Sequence, residues 1–137
     1  MQLEINNLTK FAADKKSFSQ VAKIVLKGEN KGTATLSLAF VDEKEIQKLN
    51  KNFRRKNKPT DVLSFDLQEG NYLGEIVICP QIVKGNAKKY GVAAKKEMFK
   101  VFVHGILHLL GYDHEKSKSQ AAIMEQKQDL YLSKIFK

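Results

Sequence analysis

The sequence predicts a single α/β or α+β domain spanning residues 1–137, with about five helices covering a small mixed sheet of four strands. Two observations predict this class. Apolar residues alternate with a period of two in some segments and recur at helical spacing in others, and the two kinds of segment interleave. The chain is long enough for one domain, and no repeat or Pro/Gly/Ser-rich linker divides it.

The first half of the chain predicts two strands and two helices. Residues 2–6 alternate as a short strand with Leu3 and Ile5 on one face, and residues 14–27 carry apolar residues at helical spacing. Residues 33–41 form a second strand after a turn rich in Gly and Asn. Asp42 has the position of an N-cap, with Glu45 three residues later, and a helix through Ile46 and Leu49 follows.

The second half begins where Pro59 breaks this helical pattern. Two strands follow, residues 62–66 and 73–79, joined by a loop that contains Gly70 and Asn71. Pro80 suits the first turn of a third helix that ends near Gly91. A long helix over residues 93–110 and an amphipathic helix over residues 117–135 complete the predicted order β-α-β-α-β-β-α-α-α.

Charge and cysteine content narrow the classes of function. The chain has 24 Lys and Arg residues against 15 Asp and Glu residues, a formal net charge of +9. This balance favours a polyanionic partner, above all nucleic acid, although a basic surface without a partner has the same composition. The only cysteine, Cys79, is expected to be a small buried hydrophobe in a strand. Without a signal-peptide pattern or a membrane-spanning apolar run, we expect a soluble, cytoplasmic protein.

All three histidines lie within residues 104–114, in the pattern HGILHLLGYDH. His104 and His108 are four residues apart, so on a helix both rings lie on one face and can bind one metal ion. On a continuous helix His114 would face away from this pair. Gly111 can end the helix, because glycine adopts the left-handed C′ conformation without a Cβ penalty, and the chain can then turn back.

Three imidazoles with an open fourth position form a known catalytic zinc arrangement. We therefore predict one zinc ion, or another divalent metal, held by His104, His108 and His114 and used for hydrolysis. The alternative is helix packing with chance spacing. The spacing also equals that of the metzincin proteases, but Gly105 stands where those enzymes have the glutamate that acts as general base. That departure disfavours a protease.

Residues 48–58 carry six basic side chains and no acidic one. A solvated charge run explains most of its lysines, and Phe53 within the run is expected to lie in the core rather than to stack on a base. The side chains that could bind phosphates are Lys51, Arg54, Arg55, Lys56 and Lys58.

Four stretches together resemble the YbeY family of bacterial endoribonucleases. They are residues 49–54 (LNKNFR), 58–65 (KPTDVLSF), 73–78 (LGEIVI) and 103–114 (VHGILHLLGYDH). The flanking segments fit in length and pattern, so the resemblance covers essentially the whole chain. Position 75 is often Asp in the family pattern, and Glu75 keeps the carboxylate.

The resemblance implies a metal-dependent, single-strand-specific RNA endonuclease of the cytoplasm, with roles in rRNA 3′-end maturation and small-subunit quality control. It implies that the three histidines hold zinc and that Arg54 is an active-site residue near the metal. The expected partners are rRNA and the ribosomal small subunit or its proteins. We assign catalytic roles to Arg54 and His114.

The general base is not evident from the residues. Glu75 and Asp113 are candidates, although each is better explained as orienting a ligand histidine through its second nitrogen. Asp61 and Ser64 could line the cleft, and turn chemistry after Pro59 explains them equally well. Two other functions remain open: a metzincin-like metalloprotease, and a non-catalytic RNA-binding assembly factor with a structural zinc.

Overall fold

A computed structural model describes all residues from 1 to 137 and contains nine elements in the predicted order. The strands are β1 (Gln2–Asn7), β2 (Thr35–Phe40), β3 (Val62–Glu69) and β4 (Tyr72–Ile78). The helices are α1 (Lys15–Gly28), α2 (Glu43–Arg54), α3 (Pro80–Tyr90), α4 (Ala94–Leu109) and α5 (Lys118–Ile135). The predicted fold class is confirmed.

The four strands form one mixed sheet in the order β1-β2-β4-β3. β1 and β2 are parallel, and α1 makes the crossover between them. β2 and β4 are also parallel, and the chain between them contains α2 and β3. β3 and β4 form an antiparallel hairpin. β3 is therefore an edge strand, and β4 lies in the interior of the sheet beneath the histidine helix.

The two faces of the sheet bury different helices. The side chains of one face belong to the larger apolar cluster. This cluster also contains residues of α1, α3, α4 and α5, among them Phe18, Val83, Phe102 and Met124. The other face packs in a smaller cluster with Ile46 of α2. Since side chains alternate along a strand, consecutive residues of β4 belong to different clusters.

Local signals in the sequence explain the helix starts. Asp14, Asp42 and Ser117 are N-caps whose side chains accept hydrogen bonds from the backbone N–H three residues on. Cys79 is fully buried as predicted, at the cap position directly after β4 rather than in the strand. No helix has the combination of length and apolar character that crossing a membrane requires.

Candidate active site at the end of α4

The three histidines converge where α4 ends. His104 and His108 lie one turn apart on α4, with ring centroids separated by 6.5 Å. The helix ends at Leu109 with Leu110 as its C-cap, and the next residue, Gly111, has a φ of 104°. The N–H groups of Gly111 and Tyr112 donate to the carbonyls of His108 and Leu107, both at 3.1 Å. This is a Schellman motif. The predicted turn is confirmed.

The turn brings His114 back to the other two rings. Its ring centroid lies 5.0 Å from that of His104 and 6.4 Å from that of His108. Two imidazoles bound to one tetrahedral zinc, with Zn–N of about 2.0–2.1 Å, have centroids about 5 Å apart. His104 and His114 satisfy this spacing, whereas His108 is more than 1 Å too far from both.

In the observed side-chain conformation, no three His, Cys, Asp or Glu side chains are close enough to hold a metal ion together. The donor set nevertheless suits zinc in its chemistry, because three imidazoles are the ligand set of known catalytic zinc sites. A change in the side-chain torsions of His108 is what the cluster needs to close on one ion.

Gln128 of α5 orients one of these rings. Its Oε1 lies 3.1 Å from Nδ1 of His104, so an Nδ1–H donates to the amide oxygen and Nε2 is left as the free lone pair. Burial lowers the pKa of His104, which favours the neutral form that binds metals. Gln128 lies 24 residues from His104 and belongs to no motif in the sequence, so sequence reasoning missed it.

Gly105 lies between the two helical histidines and faces the sheet. A Cβ atom at this position would approach Cγ2 of Ile76 to 3.0 Å, and Ile76 is fully buried. Next to this contact, the Ser64 hydroxyl of β3 donates to the Gly105 carbonyl at 3.3 Å. Position 105 thus points into a close contact between helix and sheet. A glutamate here would direct its carboxylate into the core, not toward the histidines.

Arg54 reaches the histidine loop from the last turn of α2. Its Nη2 donates to Oε1 of Glu115 at 3.1 Å, and the same oxygen lies 3.9 Å from Nε2 of His114. The guanidinium and the Glu115 carboxylate are both well exposed. Sixty-one residues separate the two in sequence, yet the fold places Arg54 beside the third histidine.

The other basic side chains flank Arg54 in the sequence, at the end of α2 and in the segment that follows it. Arg55 is the left-handed C-cap of α2, with φ of 58°. Asn50 is buried, and its Nδ2 donates to the Lys58 carbonyl at 2.9 Å, which holds the segment after α2 against the helix. The basic residues that this arrangement leaves exposed to solvent are Lys51, Arg54, Arg55, Lys56 and Lys58.

The prediction that Phe53 lies in the core is wrong. The side chain is 66% exposed. Its ring packs edge-on against Phe65 of β3, with centroids 5.2 Å apart. Phe53 lies in the last turn of α2, one residue before the helix ends, and the contact with Phe65 covers only part of its ring.

The structure does not bring Glu75 to the histidines. Ile76 faces α4, so its neighbour Glu75 points to the opposite face of the sheet. Burial, and to a lesser extent the charge of Glu4, raises the pKa of Glu75. The predicted orienting role for Glu75 is therefore not supported by its position.

The other three candidates lie closer to the cluster. Asp113 accepts a hydrogen bond from the Glu115 N–H at 2.9 Å and so shapes the turn around His114. Asp61 is near enough for its charge to act on His104, although burial has the larger effect on the pKa of that ring. Ser64, through its bond to Gly105, contacts α4 directly.

A mixed sheet, three converging imidazoles and an arginine among exposed basic side chains define a small basic α/β protein with a histidine cluster at the end of a helix. Comparison with known proteins identifies the family within this class. Residues 4–136 match the family model described as Endoribonuclease YbeY. The chain belongs to the YbeY family of endoribonucleases, hydrolases that act on RNA.

Individual relatives agree over most of the chain. An Endoribonuclease YbeY of Bdellovibrio bacteriovorus is 42% identical over 138 residues, covering 94% of this chain and 91% of its own. One of Aquifex aeolicus is 37% identical over 134 residues, covering 95% and 89%. The solution structure of a Thermotoga maritima protein, 36% identical, superposes with a TM-score of 0.75 over 98% of this chain and 89% of that one. The family resemblance found in the sequence is confirmed.

Proposed function

We propose that this protein is a metal-dependent endoribonuclease specific for single-stranded RNA, with one zinc ion held by His104, His108 and His114. We place its action in rRNA 3′-end maturation and small-subunit quality control in the cytoplasm, with rRNA and the small subunit or its proteins as partners. The observation that carries the site assignment is the convergence of the three imidazoles beside Arg54.

A zinc ion at these histidines supplies Lewis acidity toward a phosphate oxygen or a water. The chain's own groups have separate roles. Gln128 holds the His104 tautomer that leaves Nε2 free. Arg54 is positioned at the rim to bind a phosphate with two parallel N–H donors and to stabilise negative charge as the phosphorus gains a fifth ligand. For this, substrate phosphate replaces Glu115 as the partner of Arg54.

The basic segment supports RNA as the substrate. Exposed Lys51, Arg55, Lys56 and Lys58 adjoin Arg54 and favour the phosphate backbone by charge. Phe53, exposed in the same segment, offers a ring on which an unpaired base can stack. Stacking requires a base that is free of a duplex, which is consistent with a preference for single strands.

The two alternatives are less consistent with the site. The protease mechanism needs a glutamate at position 105, and that position points into the sheet. A structural zinc site is closed by four protein ligands, whereas the proposed ligand set is three histidines with an open fourth position. The catalytic reading is therefore the better supported.

Cleavage of a single-stranded fragment containing the 3′ end of small-subunit rRNA tests the proposal. The same fragment annealed to its complement serves as the duplex control. We expect cleavage of the single strand only, loss of cleavage after chelation, recovery on adding Zn²⁺, and no recovery for His114→Ala. Cleavage that persists in chelated His114→Ala protein, or absence of cleavage by protein loaded with one metal per chain, would contradict the assignment.

A further inference from the structure

A buried carboxylate joins the ends of two helices behind the histidine site. Glu29 is the C-cap of α1, and its side chain is 9% exposed. Oε1 accepts a hydrogen bond from the Tyr112 hydroxyl at 2.5 Å. Oε2 accepts one from the Tyr131 hydroxyl of α5 and lies 3.2 Å from Nζ of Lys127. The two oxygens therefore have different partners.

The backbone around Glu29 is rigidly held. Asn30 is left-handed, with φ of 59°, and the N–H groups of Asn30 and Lys31 donate to carbonyls of the last turn of α1 at 3.2 and 2.7 Å. This is a second Schellman motif. Tyr131 can approach because Gly28 has no side chain: a Cβ there would lie 2.5 Å from Cε1 of the tyrosine ring. The Oε2 atom of Glu29 is thus held between α1 and α5.

The other carboxylate oxygen of Glu29, Oε1, is hydrogen-bonded to the loop that carries His114. Tyr112 directly follows Gly111 and precedes His114 by two residues. Glu29 and Tyr112 both line a cleft of about 350 Å³, together with Lys31, Gly111 and Gln120 among others. The Tyr112 ring packs against the larger apolar cluster, and its hydroxyl adds the hydrogen bond that ties this loop to the end of α1.

Electrostatics oppose a carboxylate at this position. The C-terminus of a helix carries partial negative charge and disfavours an acidic side chain by a few tenths of a kcal/mol to about 1 kcal/mol. Burial of the group adds a desolvation cost. Three donors offset both effects, and they hold the carboxylate at one place between three segments.

We propose that Glu29 is a positioning residue that sets the place of His114 by holding Tyr112 through Oε1. This inference deepens the proposed function and depends on it for the role of His114 as a metal ligand. α5 contributes twice, since Lys127 and Tyr131 anchor Glu29 while the adjacent Gln128 orients His104. The same helix thereby sets the relative placement of the first and third histidines.

The test compares Tyr112→Phe with the matched control Tyr131→Phe. Each removes one hydroxyl that donates to Glu29, but only the first removes a bond of the His114 loop, since Tyr131 lies on α5 and Lys127 still anchors Oε2 in the second. Both keep the ring, so both should fold. In chelated protein we expect faster amide hydrogen exchange at residues 111–115 for Tyr112→Phe alone.

Metal affinity gives the second measurement. Titration with Co²⁺ is expected to show binding weakened about 10- to 100-fold in Tyr112→Phe and unchanged in Tyr131→Phe. In a Glu29→Ala background, Tyr112→Phe should have no further effect, because the two residues act through one bond. The absorption spectrum of bound Co²⁺ reports on the ligand geometry, which a general loss of stability would not alter.

The outcomes separate the two proposals. If wild-type protein binds no Co²⁺ while loop exchange responds to Tyr112→Phe alone, the metal site is wrong and the positioning contact stands. If Co²⁺ binds, is lost in His114→Ala, and neither exchange nor affinity responds to Tyr112→Phe, the positioning role is wrong. Equal effects of the two tyrosine variants would also overturn it.

Discussion

Replacing Gly105 by alanine tests whether the contact between α4 and β4 is as close as the structure indicates. In an unhindered helix interior, Gly→Ala stabilises by about 1 kcal/mol. Here the new Cβ would lie 3.0 Å from Cγ2 of Ile76 and 3.3 Å from two further atoms of that side chain. Ile76 is fully buried in an interior strand and has little room to move.

The magnitude follows from two opposing effects. Inserting a methyl group into a filled core costs about 1–3 kcal/mol, against a gain of about 1 kcal/mol from helix propensity. The net expectation is a loss of about 1 kcal/mol in the free energy of unfolding. To relieve the clash, the distance between the new Cβ and Cγ2 of Ile76 must lengthen to about 3.5 Å. α4 must therefore move by about 0.5 Å, and His104 and His108 move with it.

Gly85 provides the matched control. It lies in the interior of α3, and a Cβ there would meet no atom within 4 Å. Gly85→Ala should therefore stabilise by about 1 kcal/mol, which puts the two substitutions about 2 kcal/mol apart. Urea unfolding of the chelated proteins measures this difference without a contribution from metal binding. Equal stabilisation by both substitutions would refute the close contact.

Three further predictions concern the rim and the loop. Arg54→Ala should abolish RNA cleavage while metal content stays at one per chain. Loss of the metal in this variant would contradict the assignment of catalysis to Arg54 and of metal binding to the histidines alone. Phe53→Ala should weaken binding of single-stranded RNA several-fold and lower the free energy of unfolding by about 0.5–1.5 kcal/mol through the lost contact with Phe65, whereas Leu8→Ala, at the similarly exposed Leu8, should leave RNA binding unchanged. The bond to Glu29 raises the pKa of Tyr112 to about 12, so stability present below pH 10 is lost as pH rises from 10 towards 12. In Tyr112→Phe, the free energy of unfolding should fall less between pH 10 and pH 12, as measured by denaturant unfolding at each pH.

The sequence by itself determined the order of all nine elements and the convergence of the histidines. These features are local. Apolar periodicity reports which face of a segment is buried, and caps such as Asp42 and the left-handed Gly111 act within one turn of the backbone. A spacing of four residues on a helix fixes two rings on one face whatever surrounds them.

Tertiary structure alone decided which residues support the site. Gln128 and Glu29 lie far from the histidines in sequence, and only the packing of α1 and α5 against α4 brings them there. The same holds for Phe53, which was expected in the core and is exposed at the end of α2, and for Glu75, which faces away from the histidines because its neighbour Ile76 faces α4. Periodicity cannot specify which element covers a face, since that depends on how the helices and the sheet pack together.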